Sequence, residues 1–237
     1  MKQAVWIIVL VCIGAVTGAM QLDRQSRYSP EWAERVPEPA RYFAQAHLAA
    51  EALQAQDTDA GADLAEALLS RRPIPAENVR LYAQAQIQSG KPEAGLIGLQ
   101  VAAQRGWRDP VTQEAMARIA WAAGDGAASA NRLAALYARE TNNAVLSELA
   151  EEVLSSPDGR EQMATLLAGP ARWEARFVRQ ARHHTSPETF NAVLLLADEK
   201  GARFSCGPLK LAVERQSRDS GEPEENSPLV PLISANC

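Results

Sequence analysis

Histidine, cysteine and aromatic side chains are scarce in this chain, with 3 His, 3 Cys and an aromatic share of 5% across 237 residues. An apolar fraction dominated by Ala and Leu, with so few aromatics, favours helices over sheet. No CxxC occurs, so a zinc ribbon or a thioredoxin-type site has no foothold. There is also no GxSxG, HExxH or P-loop, and the histidines form no recognisable triad with a Ser or Cys, so nothing argues for an enzyme or a bound cofactor. Positive charge is short as well. The 24 Lys and Arg against 29 Asp and Glu leave a net charge of −5, so general attraction to nucleic acid or anionic lipid is not expected. The length suits one domain with a real core, or a short repeat array with extensions.

What is present begins at the N-terminus. Lys2 precedes a run from Ala4 to Met20 without a charge, which as a helix would span about 25 Å, slightly short of the roughly 30 Å hydrocarbon core of a bilayer. Residues 1–22 read either as a signal peptide, with Thr17-Gly18-Ala19 as the cleavage site, or as a signal-anchor that keeps its helix. The length of the run favours the anchor. Both readings put the rest of the chain across the membrane, although Lys2 alone makes a thin positive-inside signal. Cys12 is no lipid-attachment cysteine, because Val11 before it is not small. Residues 23–40, with Pro30, Pro37 and Pro39, read as a stalk in which Ser29-Pro30-Glu31 starts a short turn carrying Trp32.

From about Tyr42 to Asn143 the chain repeats with a period of thirty-four. Ala49, Ala83 and Ala117 share a column, as do Leu53, Ile87 and Trp121. The small trio Gly61, Gly95 and Ser129 forms another, and Leu68, Ala102 and Leu136 a fourth. Within a row the spacing is helical: Val79, Tyr82, Ala83 and Ile87 fall on one face. Gly90-Lys91-Pro92 and Gly124-Asp125-Gly126 break the second and third rows into two helices, whereas the first row has Gln56-Asp57 there and no glycine to mark a turn. Two helices of one row can cross closely only where side chains are short, which gives the small columns their purpose. From Ala144 to Ala168 a degraded row reads as a last hairpin turning at Pro157 and Gly159.

These columns resemble the tetratricopeptide repeat: the period, the small helix-A residue at Ala49, Ala83 and Ala117, and the turn glycine at Gly90 and Gly124 all match. The early Trp of that family is missing, and Pro110 falls a little late. The resemblance implies an all-α, right-handed superhelix of stacked helix-turn-helix hairpins over residues 41–168. It also implies the role of the tetratricopeptide proteins of bacterial envelopes: a scaffold for protein partners, held in the inner membrane with its domain in the periplasm. The alternatives are a helical accessory domain of a cell-envelope enzyme and a soluble cytoplasmic adaptor.

The remaining stretches carry the candidate sites. Residues 169–201 read as capping helices, bearing Trp173 and Phe177 on one and Phe190, Val193 and Leu194 on the next. Arg172, Arg176, Arg179 and His183 recur at steps of four, three and four, either as a docking stripe for an acidic partner or as a solvated face pairing with Glu148, Glu151 and Glu152. A metal at His183-His184 lacks nearby ligands. Asp57, Asp59 and Asp63 lack the turn glycine of a calcium loop. Leu53, Ile87 and Trp121 either line a groove or fill the core, and Trp121 is the member expected to be partly exposed. In the tail, 202–237, Leu209 to Val213 fits helix or strand, Ser217 to Pro228 reads as disordered, and Leu229 to Ile233 reads as extended. Cys206 and Cys237 form a candidate disulfide if the chain is exported.

Overall fold

The computed structural model describes residues 2–139, 143–170 and 172–237, and among them every regular element is a helix, with no strand. The chain divides into two compact units, Met1–Gly106 and Trp107–Cys237. The boundary therefore falls between the second and third rows of the repeat, not at its ends.

The first unit opens with α1 (Lys2–Ser26), which is long and apolar enough to cross a membrane, as a signal sequence also would be. Two short 3-10 turns follow, Pro30–Arg35 and Glu38–Ala40, then α2 (Ala44–Gln54), α3 (Thr58–Arg71), α4 (Ala76–Gln88) and α5 (Pro92–Arg105). Helices α2 and α3 pack as one pair and α4 and α5 as the next. Ala49 and Ala83 are fully buried, and the glycines opposite them explain why the columns stay small. A Cβ on Gly61 would lie 2.8 Å from Leu53 Cδ2, and one on Gly95 would lie 2.8 Å from the Ala83 carbonyl oxygen. The latter contact is with backbone, which cannot swing aside, so the α4–α5 crossing depends on glycine.

The stretch read as a stalk is instead folded onto the first hairpin. Helix α1 runs on past its apolar run, and Asp23, 4% exposed, turns inward. Its Oδ1 accepts from the backbone N–H of Tyr42 at 2.8 Å, Phe43 at 2.9 Å and Ala44 at 2.9 Å. These are the unpaired amides at the start of α2, and a carboxylate there both completes their hydrogen bonds and opposes the helix dipole. Around this clamp Ala33, Val36 and Ala44 are buried, with Leu22, Ala40 and Leu48 packed against them. Prolines end helices, as expected, but the apolar residues between them had a surface to bury against.

The second unit contains α6 (Pro110–Ala122), α7 (Gly126–Ala138), α8 (Asn143–Ser155), α9 (Pro157–Ala168), α10 (Glu174–Ala181), α11 (Pro187–Glu199), α12 (Cys206–Ser220), a 3-10 turn at Glu224–Asn226 and α13 (Val230–Asn236). Helices α6 and α7 pack as the third hairpin. Ser129 replaces glycine at the crossing and donates its hydroxyl to the Ala117 carbonyl at 3.0 Å. Thereafter the core changes character. Tyr137, Phe177 and Phe190 are buried with Leu146, Leu154, Met163, Leu194 and Leu209. The Tyr137 and Phe177 rings meet edge to face at 4.9 Å, a favoured arrangement of aromatic quadrupoles.

Three hairpin turns reproduce the period in backbone conformation. Gln56, Gly90 and Gly124 stand thirty-four apart, and all have positive φ, at 59°, 75° and 78°. After each, the next N–H reaches five residues back, from Asp57 to Ala52, Lys91 to Gln86 and Asp125 to Ala120. This is the Schellman closure, which needs a left-handed residue. The first row has the same turn as the others, with Gln56 accepting a conformation that glycine adopts freely.

The tail also differs from expectation. Leu209, Ala212 and Val213 are buried at helical spacing within α12, so the helix reading holds over the strand. Ser217 to Pro228, read as disordered, is structured: it finishes α12, turns at Gly221 with φ 74° and forms the short 3-10 turn. Leu229 to Ile233, read as extended, enters α13 with Leu229 and Leu232 buried. Cys206 and Cys237 are joined by a disulfide with a Cα–Cα distance of 5.5 Å, and Asn236 Oδ1 accepts from the Phe204 N–H at 3.0 Å. A covalent tie with buried leucines beside it gives a polar segment the anchoring its composition lacks.

Candidate interaction surfaces

The arginine stripe does not form one helix face. Arg172 precedes α10 and is exposed, and His183 lies beyond its end. Arg176 donates to the Ala138 carbonyl at the C-terminus of α7, where a cation suits the negative helix end. Arg179 is exposed. Nor do the glutamates of α8 face the stripe. Glu148 pairs with Arg118 at 2.6 Å, and Glu152 accepts from Trp121 Nε1 at 2.8 Å. Glu151 accepts from the Ser186 N–H and hydroxyl at 2.6 and 3.0 Å and from the Thr189 hydroxyl at 2.9 Å. Burial acts to raise the Glu151 pKa, but these three donors outweigh it and hold the carboxyl below its ordinary value.

The column of Leu53, Ile87 and Trp121 also divides. Leu53 is fully buried, Trp121 is half-buried and occupied by Glu152, and Ile87 is the exposed member at 43%. Trp121 is thus partly exposed, with its indole N–H held by a carboxylate one row on, while Ile87 is the more open position. Other large apolar side chains stand open on the first unit at Ile74, Leu96 and Ile97, and on α6 of the second at Val111 and Ile119.

What the tertiary structure assembles in place of the stripe is a cleft of about 670 Å³ in the second unit, lined by Arg182, His183, Phe190, Arg215, Arg218 and Glu222 among others. Arg182 Nη1 donates to the Leu211 carbonyl at 3.4 Å, one helical turn before Arg215. Burial first, and Arg215 second, lower the pKa of Arg182. Burial, then Arg182, then Arg215 lower that of His183. Among the described residues neither Arg182 nor Arg215 has an ion-pair partner, and His183 Nε2 accepts from Arg182 Nε at 3.2 Å, so this corner of the cleft suits a small anion, though Glu188, Asp219 and Glu222 line other parts of it. Arg215 carried no signal in the sequence, since only the docking of α12 brings it to Arg182. His184 is different in kind: it is buried, and its Nδ1 shares a hydrogen bond of 2.9 Å with the Ser147 hydroxyl.

A second group surrounds the end of α1. The guanidinium of Arg27 lies 5.6 Å from the Tyr28 ring centre and 5.3 Å from that of Phe43. Arg35 sits 4.6 Å over Trp32, and Arg72 sits 3.8 Å over Tyr42. Arg72 also donates to the Tyr42 carbonyl at 3.1 Å, while its Nε is buried without a partner. Beside Arg27, Tyr28, Tyr42 and Phe43 lies a cleft of about 340 Å³, lined by these four with Met20, Asp23, Arg24 and Ala40.

No group of three or more His, Cys, Asp or Glu among the described residues is placed to hold a metal ion. The architecture is that of an all-α protein built from packed helix pairs, with one apolar helix at its N-terminus. Set against protein-family models, curated proteins and solved structures, the chain finds no match. Its likeness to the tetratricopeptide repeat thus rests on the residues and turns described above.

Proposed function

We propose that the protein is a membrane-anchored scaffold of tetratricopeptide-like hairpins that binds a protein partner in the service of an envelope assembly, secretion or biosynthesis machinery. The apolar helix Lys2–Ser26 would hold it in a bacterial inner membrane, with both units on the periplasmic side. The observation that carries this reading is the combination of a repeated hairpin with apolar side chains left open on it, Ile87 at 43% and Ile97 at 62% exposed. The two isoleucines stand on the paired helices α4 and α5 of one hairpin, and exposed apolar side chains mark contact sites where a partner covers them. A disulfide between Cys206 and Cys237 fits an oxidising compartment, where such bonds persist.

The test is site-specific photo-crosslinking in membranes, with the crosslinker at Ile87, Ile97 and, as a control, at Arg218. A single adduct from the two isoleucine positions, absent at Arg218 and lost on Ile97→Glu when the crosslinker sits at Ile87, is the expected result. Equal labelling at all three positions, or none at the isoleucines, overturns the scaffold reading.

A further inference from the structure

The residues after the apolar run continue α1 to Ser26 and fold against the first hairpin. At 1.5 Å per residue, Asp23 lies about 4.5 Å beyond Met20 and Ser26 about 9 Å beyond it. The headgroup layer on each side of a bilayer is roughly 5–8 Å deep, taking about 40–45 Å in total against a 30 Å core. If Met20 marks the edge of the hydrocarbon, the Asp23 clamp sits at headgroup depth. Because three backbone amides of the first hairpin hang on Asp23, the hairpin cannot move away from the end of α1 without breaking them.

The chemistry at that depth is what a membrane surface selects. Tyr28 is 74% and Tyr42 50% exposed, each with an arginine stacked on it, and the Phe43 ring stands 5.1 Å from that of Tyr42. Amphipathic aromatic rings prefer the headgroup level, and arginine side chains reach lipid phosphates there. Arg24 and Arg27 line the cleft and have no carboxylate partner among the described residues. The one carboxylate in the lining, Asp23, is occupied by backbone donors. Glu31, Glu34 and Glu38 lie on the 3-10 turns and do not line the cleft. The net charge of −5 therefore says nothing about this place, where cations and aromatics are concentrated.

We propose that the cleft at the end of α1 is a phospholipid headgroup site, in which Arg24 and Arg27 hold the lipid phosphate and Tyr28 and Tyr42 seat the first hairpin in the membrane interface. This rests on the anchored reading of α1, and a label at each depth separates the two. A nitroxide on native Cys12, on the full chain in phosphatidylcholine–phosphatidylglycerol nanodiscs, reports the anchor. A nitroxide on Tyr28→Cys in a Cys12→Ser background reports the interface, with Ile97→Cys as the aqueous control. Tyr28, Arg24 and Arg27 are all exposed, so their substitution leaves the fold in place.

The expected result is a Cys12 label open to oxygen and closed to a water-soluble nickel chelate. The position-28 label should have chelate access severalfold below the control, and Arg24→Gln with Arg27→Gln should move it back towards the control. A deep Cys12 label with a position-28 label as accessible as the control refutes the headgroup site and leaves the anchor standing. Insensitivity of a shielded position-28 label to the arginine pair removes the phosphate role. A water-accessible Cys12 refutes the anchor and the site together.

Discussion

The first unit is built from small side chains at close crossings, and the second from large ones in an aromatic core. Ala49, Ala83, Gly61 and Gly95 set how nearly the helices of the first unit approach, whereas Tyr137, Phe177 and Phe190 fill the second. The two solutions differ in what holds the chain ends. In the first, a buried carboxylate gathers three amides at the start of α2. In the second, a covalent bond ties α12 to the last residue. A repeat can stabilise itself through neighbouring rows, and its ends need other means because one face has no neighbour. This chain uses a different device at each end.

Breaking the disulfide should have the largest effect and should be confined to the second unit. Cys206→Ser with Cys237→Ser releases a loop of sequence separation 31, worth about 3–4 kcal/mol in the chain-entropy model. Amide hydrogen exchange followed by mass spectrometry should show faster exchange in α12 and α13 while α2–α5 hold their rates. Equal loss in both units would mean that they unfold as one and that the contrast drawn above is not energetic.

Asp23→Ala is the matching cut in the first unit. Loss of a helix cap typically costs about 1–2 kcal/mol, and exchange at Tyr42, Phe43 and Ala44 should accelerate first. Asp23→Asn should recover part of the loss, since an amide oxygen still accepts but carries no charge against the helix dipole.

Gln56→Gly sharpens the comparison among the turns in the opposite direction. Relief of a left-handed side chain should raise stability by about 0.5–1 kcal/mol, measured as a higher urea midpoint. The same change imposed in reverse, Gly90→Gln, should lower it.

The smallest effect should be that of pH on the second unit. Because the Glu151 pKa is lowered on folding, its contribution is complete above the ordinary glutamate range and is lost as pH falls through the folded value. Acid unfolding followed from neutral pH downward should therefore begin at a lower stability in Glu151→Gln and show a flatter slope through the carboxylate range. An unchanged slope would remove Glu151 from the network that starts α11.

Much of the helix order was legible from residue types alone. Pro92, Pro110, Pro157 and Pro187 begin helices because proline lacks only an N–H that the first turn leaves unused, and Gly90 and Gly124 end them because a left-handed residue is required there. Gln56 hid the first turn because its side chain gives no sign of positive φ, although its distance of thirty-four from Gly90 did. The candidate sites were harder. Spacing correctly aligned Arg176 with Arg179, but α10 begins only at Glu174, so Arg172 and His183 fall off its face. Trp121 found Glu152 as a hydrogen-bond partner at the surface, and Arg215 was placed by a helix thirty residues further along.

Local propensity and periodicity by themselves determined that this chain forms helices, where most of them start and stop, and which columns must be small, because caps, turns and close crossings depend on residues a few positions apart. Only the tertiary structure decided that the proline segment folds against α1, that the acidic tail is ordered, and that Arg182, His183 and Arg215 share a cleft. Those outcomes turn on buried area and on hydrogen bonds between residues twenty to forty positions apart. Asp23 and the amides of Tyr42, Phe43 and Ala44 have no mutual signature until α1 and α2 are packed together.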